Sequence, residues 1–156
     1  TTTFYHTDFS SLNSEEKDLV NRAKNSLEAA YAPYSGFLVG ATVLLGNGEI
    51  ISGNNQENVA YPSGLCAERV AIFYAGAKFP NVKIKTIAIT AVSKKFEIKD
   101  IISPCGACRQ AIAEYEVKQE NDIRILLHNP DDSILIVNSV SDLLPFMFKS
   151  KGFKNY

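Results

Sequence analysis

The sequence has no tryptophan, one methionine and two histidines, and none of its apolar runs approaches the roughly 20 residues a membrane span requires. It also lacks an excess of either charge. Sixteen Lys and Arg stand against seventeen Asp and Glu, a formal net charge of -1, so the basic footprint of a duplex-binding protein is missing. Neither nucleic acid nor a membrane is an expected partner. Internal repeats, low-complexity tracts and linker-like stretches are absent as well. With 46% hydrophobic and 21% charged residues, composition argues against disorder, collagen and coiled coil. A chain of 156 residues fits one domain over 1–156 around one core. Thr1-Thr2-Thr3-Phe4-Tyr5-His6 shows neither the charged nor the apolar region of a signal peptide. Cysteine is scarce too. Cys66, Cys105 and Cys108 are an odd set that cannot all pair within the chain, and in the cytoplasmic setting expected here such a cluster reads first as metal-binding or catalytic.

What is present alternates between helical and strand-like patterns. Residues 1–12 read as a polar arm carrying aromatics. Asn13 is placed to cap a helix whose first turn holds Glu15 and Glu16, and Leu19, Val20, Ala23, Leu27, Ala30 and Tyr31 recur at helical spacing before Pro33 and Gly36 end it. Phe37 to Leu45 and Ile50-Ile51, joined by Gly46-Asn47-Gly48, predict a hairpin. A polar loop follows, then a helix from Leu65 to Ala75 with Gly76 as its stop. Ile84 to Val92 predicts a strand, and Ser93 to Asp100 a charged loop with three lysines. A helix from Cys105 to about Glu116, strands at 123–127 and 134–137, a helical turn at 141–144 and a tail over 146–156 complete the reading. Strands alternating with helices imply crossovers and a sheet covered on both faces. The expected fold is α/β, a three-layer α/β/α sandwich around a mixed five-stranded sheet.

Two short segments contain every cysteine: Cys66-Ala67-Glu68 and Pro104-Cys105-Gly106-Ala107-Cys108. Each falls where a helix is expected to begin. Cys105 and Cys108, three apart, share one helix face, and a helix N-terminus favours the thiolate that a metal needs. Three sulfur ligands without an obvious fourth suit a tetrahedral zinc with one open position, whose water ionises near neutral pH. Glu68, two residues beyond a ligand, can then carry the proton from that water to a substrate. A Cys-x-x-Cys by itself also serves structural zinc and thiol redox sites. The redox reading leaves Cys66 and Glu68 without a role, and a closed structural site would take its fourth ligand from His6 or His128.

Here the chain resembles a known family, the small zinc-dependent cytidine deaminases. The likeness covers roughly residues 14–148 and rests on Ala32-Pro33-Tyr34-Ser35-Gly36-Phe37-x-Val39-Gly40-Ala41, Asn55-x-Glu57-Asn58, Tyr61-Pro62-x-Gly64-x-Cys66-Ala67-Glu68-Arg69, Ser103-Pro104-Cys105-Gly106-Ala107-Cys108-Arg109-Gln110 and Leu143-Leu144-Pro145. A Cys-x-Glu segment followed by Pro-Cys-x-x-Cys is the known signature of zinc nucleobase deaminases, matched rather than deduced here. The resemblance implies one zinc per chain on Cys66, Cys105 and Cys108, Glu68 as proton shuttle, and a homotetramer acting on free nucleosides in pyrimidine salvage. It implies Phe37 beside the pyrimidine, Asn55 and Glu57 on the ribose 3′-hydroxyl, Ala67 backbone groups on the base, and the Ser103 carbonyl facing the departing ammonia. A C-terminal aromatic from a neighbouring chain would cap the pocket, and Phe148, three beyond Pro145, is the choice.

Arg69 and Arg109 carry a separate argument. Three thiolates on a divalent zinc leave a net charge of about -1, and a cation hydrogen-bonded to sulfur would offset it. Three features depart from the family pattern: Gln56 in place of an apolar residue, the long charged loop 93–100, and the aromatic-rich tail. The expected reaction is hydrolytic deamination of cytidine, 2′-deoxycytidine or both, to the uridine product and ammonia. A zinc-activated water attacks C4 while Glu68 protonates N3 and then the amino group. The alternatives are a zinc deaminase of another small nucleoside-like molecule and a zinc-stabilised binding module.

Overall fold

The structure of the protein, a computed structural model, describes residues 1–149 and 151–154. Its sheet is built from β1 (Tyr5–Asp8), β2 (Phe37–Leu45), β3 (Ile50–Asn54), β4 (Ile84–Ser93), β5 (Arg124–His128) and β6 (Ser133–Val137), and its helices are α1 (Ser14–Ser26), α2 (Ala67–Lys78) and α3 (Gly106–Gln119). The strand order is β1-β6-β5-β4-β2-β3. Only β4 and β5 pair in parallel; the other neighbours are antiparallel.

Six strands stand where five were expected. The extra one lies in the supposed arm: Tyr5 pairs with Ile136 and Asp8 with Ser133 along the outer edge of β6. Its side chains are mostly exposed, so no apolar alternation announces it. Backbone pairing to a free sheet edge makes this strand, and backbone pairing leaves no mark on composition.

α1 begins as expected, with the Asn13 side chain accepting from Glu16 N at 2.9 Å. It ends earlier. Leu19, Val20 and Ala23 are buried, but the helix stops at Ser26, a short 3₁₀ turn follows over Leu27–Ala29, and Tyr31 is exposed. The Tyr31 backbone instead donates to Asn55 O and accepts from Glu57 N, binding this segment to the polar loop after β3. α2 runs through Gly76 to Lys78. That glycine is no stop. It is a close approach, where an added Cβ would lie 2.2 Å from the Tyr115 hydroxyl of α3.

The layers are as expected. On one face α1 packs Leu19 and Val20 against Leu44, Ala88, Leu126 and Ile136. On the other, Ile72 of α2 and Ile112 of α3 join Val43, Ile87, Ile89 and Ile125 in the larger core. Fully burying one such aliphatic side chain is worth about 1.5–3 kcal/mol. Because β3 and β4 are both antiparallel to β2, they run in the same direction. Each is followed by a loop and then a helix, so α2 and α3 start from the same end of the sheet. Among the described residues, no helix is long and apolar enough to cross a membrane.

The end of β5 shows how this side of the sheet is held. His128 is 2% exposed, with Nδ1 2.8 Å from Thr90 Oγ1 and Nε2 2.8 Å from Asp132 Oδ1. An ionised carboxylate only accepts, so Nε2 carries the proton and Nδ1 accepts from the Thr90 hydroxyl. Burial holds the imidazole below its usual 6.5, against the opposing pull of Asp132. With a depressed value in the folded state, the unfolded chain takes up the proton first as pH falls. Stability from neutral His128 is complete above about 6.5 and is lost as pH drops through the folded value. Replacing His128 by Gln should lower stability at pH 7 by about 1–3 kcal/mol, the cost of disturbed buried hydrogen bonds. It should also flatten the decline in urea-unfolding free energy as pH falls below about 6.5, relative to wild type.

Candidate metal and catalytic centre

Cys66 is the N-cap of α2 and Cys105 the N-cap of α3; both are extended, with ψ of 152° and 168°. Cys108 lies in the first turn of α3. The three sulfurs fall within 4.8 Å of one another, and Cys66 Sγ is 3.8 Å from Cys105 Sγ. Gly53 of β3 permits this placement. A Cβ there would meet Ala71 N at 2.7 Å and Ala67 O at 2.8 Å, so any other residue would push the start of α2 off the sheet.

Electrostatics calls for a cation. The Cys66 thiol is pulled well below its usual range, first by a hydrogen bond from Cys108 and then by Arg69 and Cys105. Cys108 is pushed up, because it is the donor to Cys66 and is buried beside the Glu68 charge. Cys66 thus ionises at the expense of Cys108, a conflict that a positive ion between them would relieve. Three soft donors at two helix N-termini fit zinc in a tetrahedral arrangement with one open position. Among the described residues this is the one group of three or more His, Cys, Asp or Glu side chains close enough to share an ion. Neither histidine is a fourth ligand. His128 is committed to Thr90 and Asp132, and His6 sits in β1 with its ring edge-on to Phe4.

Glu68 occupies the first turn of α2 and is 5% exposed. Burial, with the Cys66 charge added, raises its carboxyl from 4.5 to about 7. A group titrating near neutrality can both take and release a proton. Beside it, Arg69 Nη2 lies 3.9 Å from Cys66 Sγ, while its Nε is buried without a partner. Arg109 is employed differently from the expectation. Its guanidinium donates to Pro104 O at 2.8 Å, Leu143 O at 2.6 Å and Ser103 Oγ at 2.6 Å, with no bond to sulfur. It ties the segment before Cys105 to the C-terminal turn.

Asn55 and Glu57 meet Cys66 and Arg69 in one cavity of about 480 Å³, which Tyr34 and Ser35 also line. Asn55 Oδ1 accepts from Val39 N at 2.8 Å and its Nδ2 donates to Phe37 O at 2.8 Å. Glu57 accepts from Tyr34 N at 2.9 Å, Ser35 N at 3.2 Å and the Ser35 hydroxyl, which holds its carboxyl below the usual range. Phe37, Ala67, Glu68, Ser103 and Phe148 are not among the residues lining this cavity. Phe37 is half-buried, with its ring stacked on Phe96. Phe148 is 72% exposed, its carbonyl accepting from Gln110 Nε2 at 2.7 Å.

Three contributors escaped the sequence reading. Asn129, read only as a turn residue, is buried; it accepts from Ile102 N and donates to Asp100 O, both at 3.0 Å, and so anchors the loop leading to Cys105. Its place before Pro130 signals a turn, and nothing in the spacing signals the second task. Ser35 braces Glu57, and Phe96 covers Phe37.

A three-thiol centre with a buried carboxyl two residues beyond one sulfur, at the helix-bearing end of an α/β/α sandwich, defines a class: zinc-dependent hydrolases of the deaminase type. The family described as the cytidine and deoxycytidylate deaminase zinc-binding region matches residues 13–120. A cytidine deaminase of Halalkalibacterium halodurans is 38% identical over 133 residues, covering 85% of this chain and 93% of that protein. The crystal structure of cytidine deaminase from Burkholderia pseudomallei aligns with a TM-score of 0.74 at 34% identity, over 88% of this chain and 100% of that one. A Mycobacterium tuberculosis cytidine deaminase structure gives 0.67 at 27% identity, with the same coverage. The chain belongs to the cytidine and deoxycytidylate deaminase family.

The purified protein should carry about one zinc per chain, bound through three sulfurs. Replacing Cys66, Cys105 or Cys108 singly by Ala should remove most of the metal, as read by elemental analysis. X-ray absorption showing four protein ligands in the resting protein would contradict an open site.

Proposed function

We infer that this protein catalyses the hydrolytic deamination of cytidine, 2′-deoxycytidine or both, to uridine or 2′-deoxyuridine and ammonia. The observation that carries this reading is the buried Glu68 carboxyl, two residues beyond Cys66, next to three gathered thiols. Cys66, Cys105 and Cys108 hold the zinc, which when bound supplies a water acidic enough to act as nucleophile at neutral pH. Glu68 would take one proton from that water and give it to N3 of the base, then carry the second proton of the same oxygen to the departing amino group, which leaves as ammonia. Its burial makes both transfers accessible near pH 7.

The remaining residues orient. Asn55 and Glu57 each keep capacity after bracing the backbone: Asn55 a second amide hydrogen, Glu57 a further lone pair. That capacity suits the ribose 3′-hydroxyl. Phe37 flanks the pyrimidine, Ala67 backbone groups contact the base, and the Ser103 carbonyl accepts from the leaving ammonia. Arg69 moderates the charge on sulfur, and Arg109 fixes the Ser103-Pro104 segment. The catalytic unit is the single domain 1–156, and a cytoplasmic setting keeps its three thiols free for metal. Exposed Val59, Tyr61, Phe73 and Tyr74 around the start and outer face of α2 support association into a homotetramer. In that assembly Phe148 covers the pocket of a neighbouring chain.

Glu68→Gln keeps size and most hydrogen bonding but cannot shuttle a proton. Zinc content and thermal stability should persist while cytidine turnover, followed by ultraviolet absorbance, falls at least about 10²-fold. Substantial residual activity would assign the proton to another group. For the tail, hybrids refolded from Phe148→Ala and Glu68→Gln chains should regain activity, because intact lids from one parent cover intact centres of the other. No recovery in hybrids verified by mass spectrometry would rule out a lid acting between chains.

A further inference from the structure

The turn before β2 holds the carboxylate that lines the candidate cavity. Tyr34 N and Ser35 N, two successive amides, both donate to Glu57 Oε2, at 2.9 and 3.2 Å. The Ser35 hydroxyl donates to the other oxygen, Oε1. Gly36 follows with φ of +68°, a conformation that favours glycine, and the chain folds back so that Phe37 N donates to Ser35 Oγ at 3.0 Å. The Ser35 hydroxyl is therefore held from two sides. The Phe37 amide takes up a lone pair on its oxygen, and its single hydrogen lies on the bond to Glu57, because an ionised carboxylate only accepts. That bond is also the first cause of the lowered Glu57 carboxyl.

Counting lone pairs shows what the arrangement leaves open. A carboxylate offers about four acceptor positions. Two on Oε2 go to backbone amides and one on Oε1 to Ser35, so the free position is the second lone pair of Oε1. Asn55, in the same cavity, gives one amide hydrogen to Phe37 O and keeps the other. A spare acceptor and a spare donor together suit a hydroxyl, which gives and accepts at once. The backbone bonds to Oε2 form a pivot, and the Ser35 hydroxyl stops the carboxylate from turning on it. Ser35 is exposed and Glu57 half-buried, so without that hydroxyl water competes for Oε1.

We propose that Ser35 is a positioning residue that aims the free lone pair of Glu57 Oε1 at the sugar 3′-hydroxyl, and so sets how strongly the site distinguishes a ribose from a 3′-deoxyribose. This rests on the deaminase reading above, in which Asn55 and Glu57 hold that hydroxyl. Loss of the aim weakens only ligands that carry the 3′-hydroxyl. A role confined to supporting the turn and Phe37 would weaken all ligands with the same base alike.

The test measures KM for cytidine, and the inhibition constant of 3′-deoxycytidine as its competitor, on zinc-loaded wild type, Ser35→Ala and Ser35→Thr. Wild type should bind 3′-deoxycytidine more weakly than cytidine. Ser35→Ala should raise KM for cytidine about fivefold or more, while the constant for 3′-deoxycytidine stays within about twofold and zinc content is unchanged. Ser35→Thr keeps the hydroxyl and should stay within about twofold of wild type on both. Because both ligands are measured on the same protein, a partial loss of stability cancels in their ratio. An equal rise of both constants in Ser35→Ala would make the residue merely structural and overturns the proposal. So does an unchanged KM, a Ser35→Thr no better than Ser35→Ala, or a wild type indifferent to the 3′-hydroxyl; each leaves the deaminase reading intact. A wild type that turns over neither cytidine nor 2′-deoxycytidine overturns both.

Discussion

Three sulfurs crowded at two helix N-termini are the constraint around which the rest of this protein is arranged. At 3.8 Å between Cys66 and Cys105, and within 4.8 Å for the whole set, negative charge on one sulfur opposes negative charge on its neighbours. The helix dipoles and Arg69 favour thiolate, yet without a cation Cys66 gains its charge only while Cys108 keeps its proton. A divalent ion resolves the conflict. The same crowding acts on Glu68, whose burial and neighbouring negative charge lift it to about 7. One local arrangement thus gathers three thiols and raises the carboxyl beside them.

Holding that arrangement falls to the sheet. β3 and β4 run the same way with β2 between them, so the chain rises twice to the same end and each time enters a helix at a cysteine. Gly53 brings the first of these helices against β3. Asn129, from the β5–β6 turn, holds the loop before the second, and Arg109 joins that loop to Leu143. Farther along α3, buried Glu116 accepts from Ile123 N, Val140 N and the Ser139 hydroxyl, which fixes β5 and the turn after β6 to the same helix. Most of these ties span segments distant in sequence.

Residues at the pocket have two duties. Asn55 and Glu57 are the natural candidates for a polar substrate group, and they also hold the start of β2 and the turn before it. Removing either would disturb the Phe37 backbone as well as any ribose contact. Phe96 reaches the same turn from the opposite side through Lys94 and Lys95. The polar cavity side chains, the turn 34–37 and the start of β2 are therefore tied together.

Local chemistry alone determined much of this protein. Asn13 before two glutamates marked a helix start, and alternating apolar residues marked the central strands. The Cys-x-Glu and Pro-Cys-x-x-Cys segments pointed to candidate ligands and a candidate acid by matching a known signature, and the fold does gather the three cysteines. What lay beyond reach depended on partners distant along the chain. Residues 5–8 became a sixth strand because β6 offered an unpaired edge, and Gly76 stayed helical because Tyr115 needed its space. Arg109 turned from sulfur to carbonyls because Leu143, 34 residues away, came within reach. Asn129 acquired its anchoring role, and Phe96 its place on Phe37, only when the sheet brought separate loops together. Short-range spacing specifies which chemistry is possible; close packing of remote backbone groups decides which side chains are free to perform it.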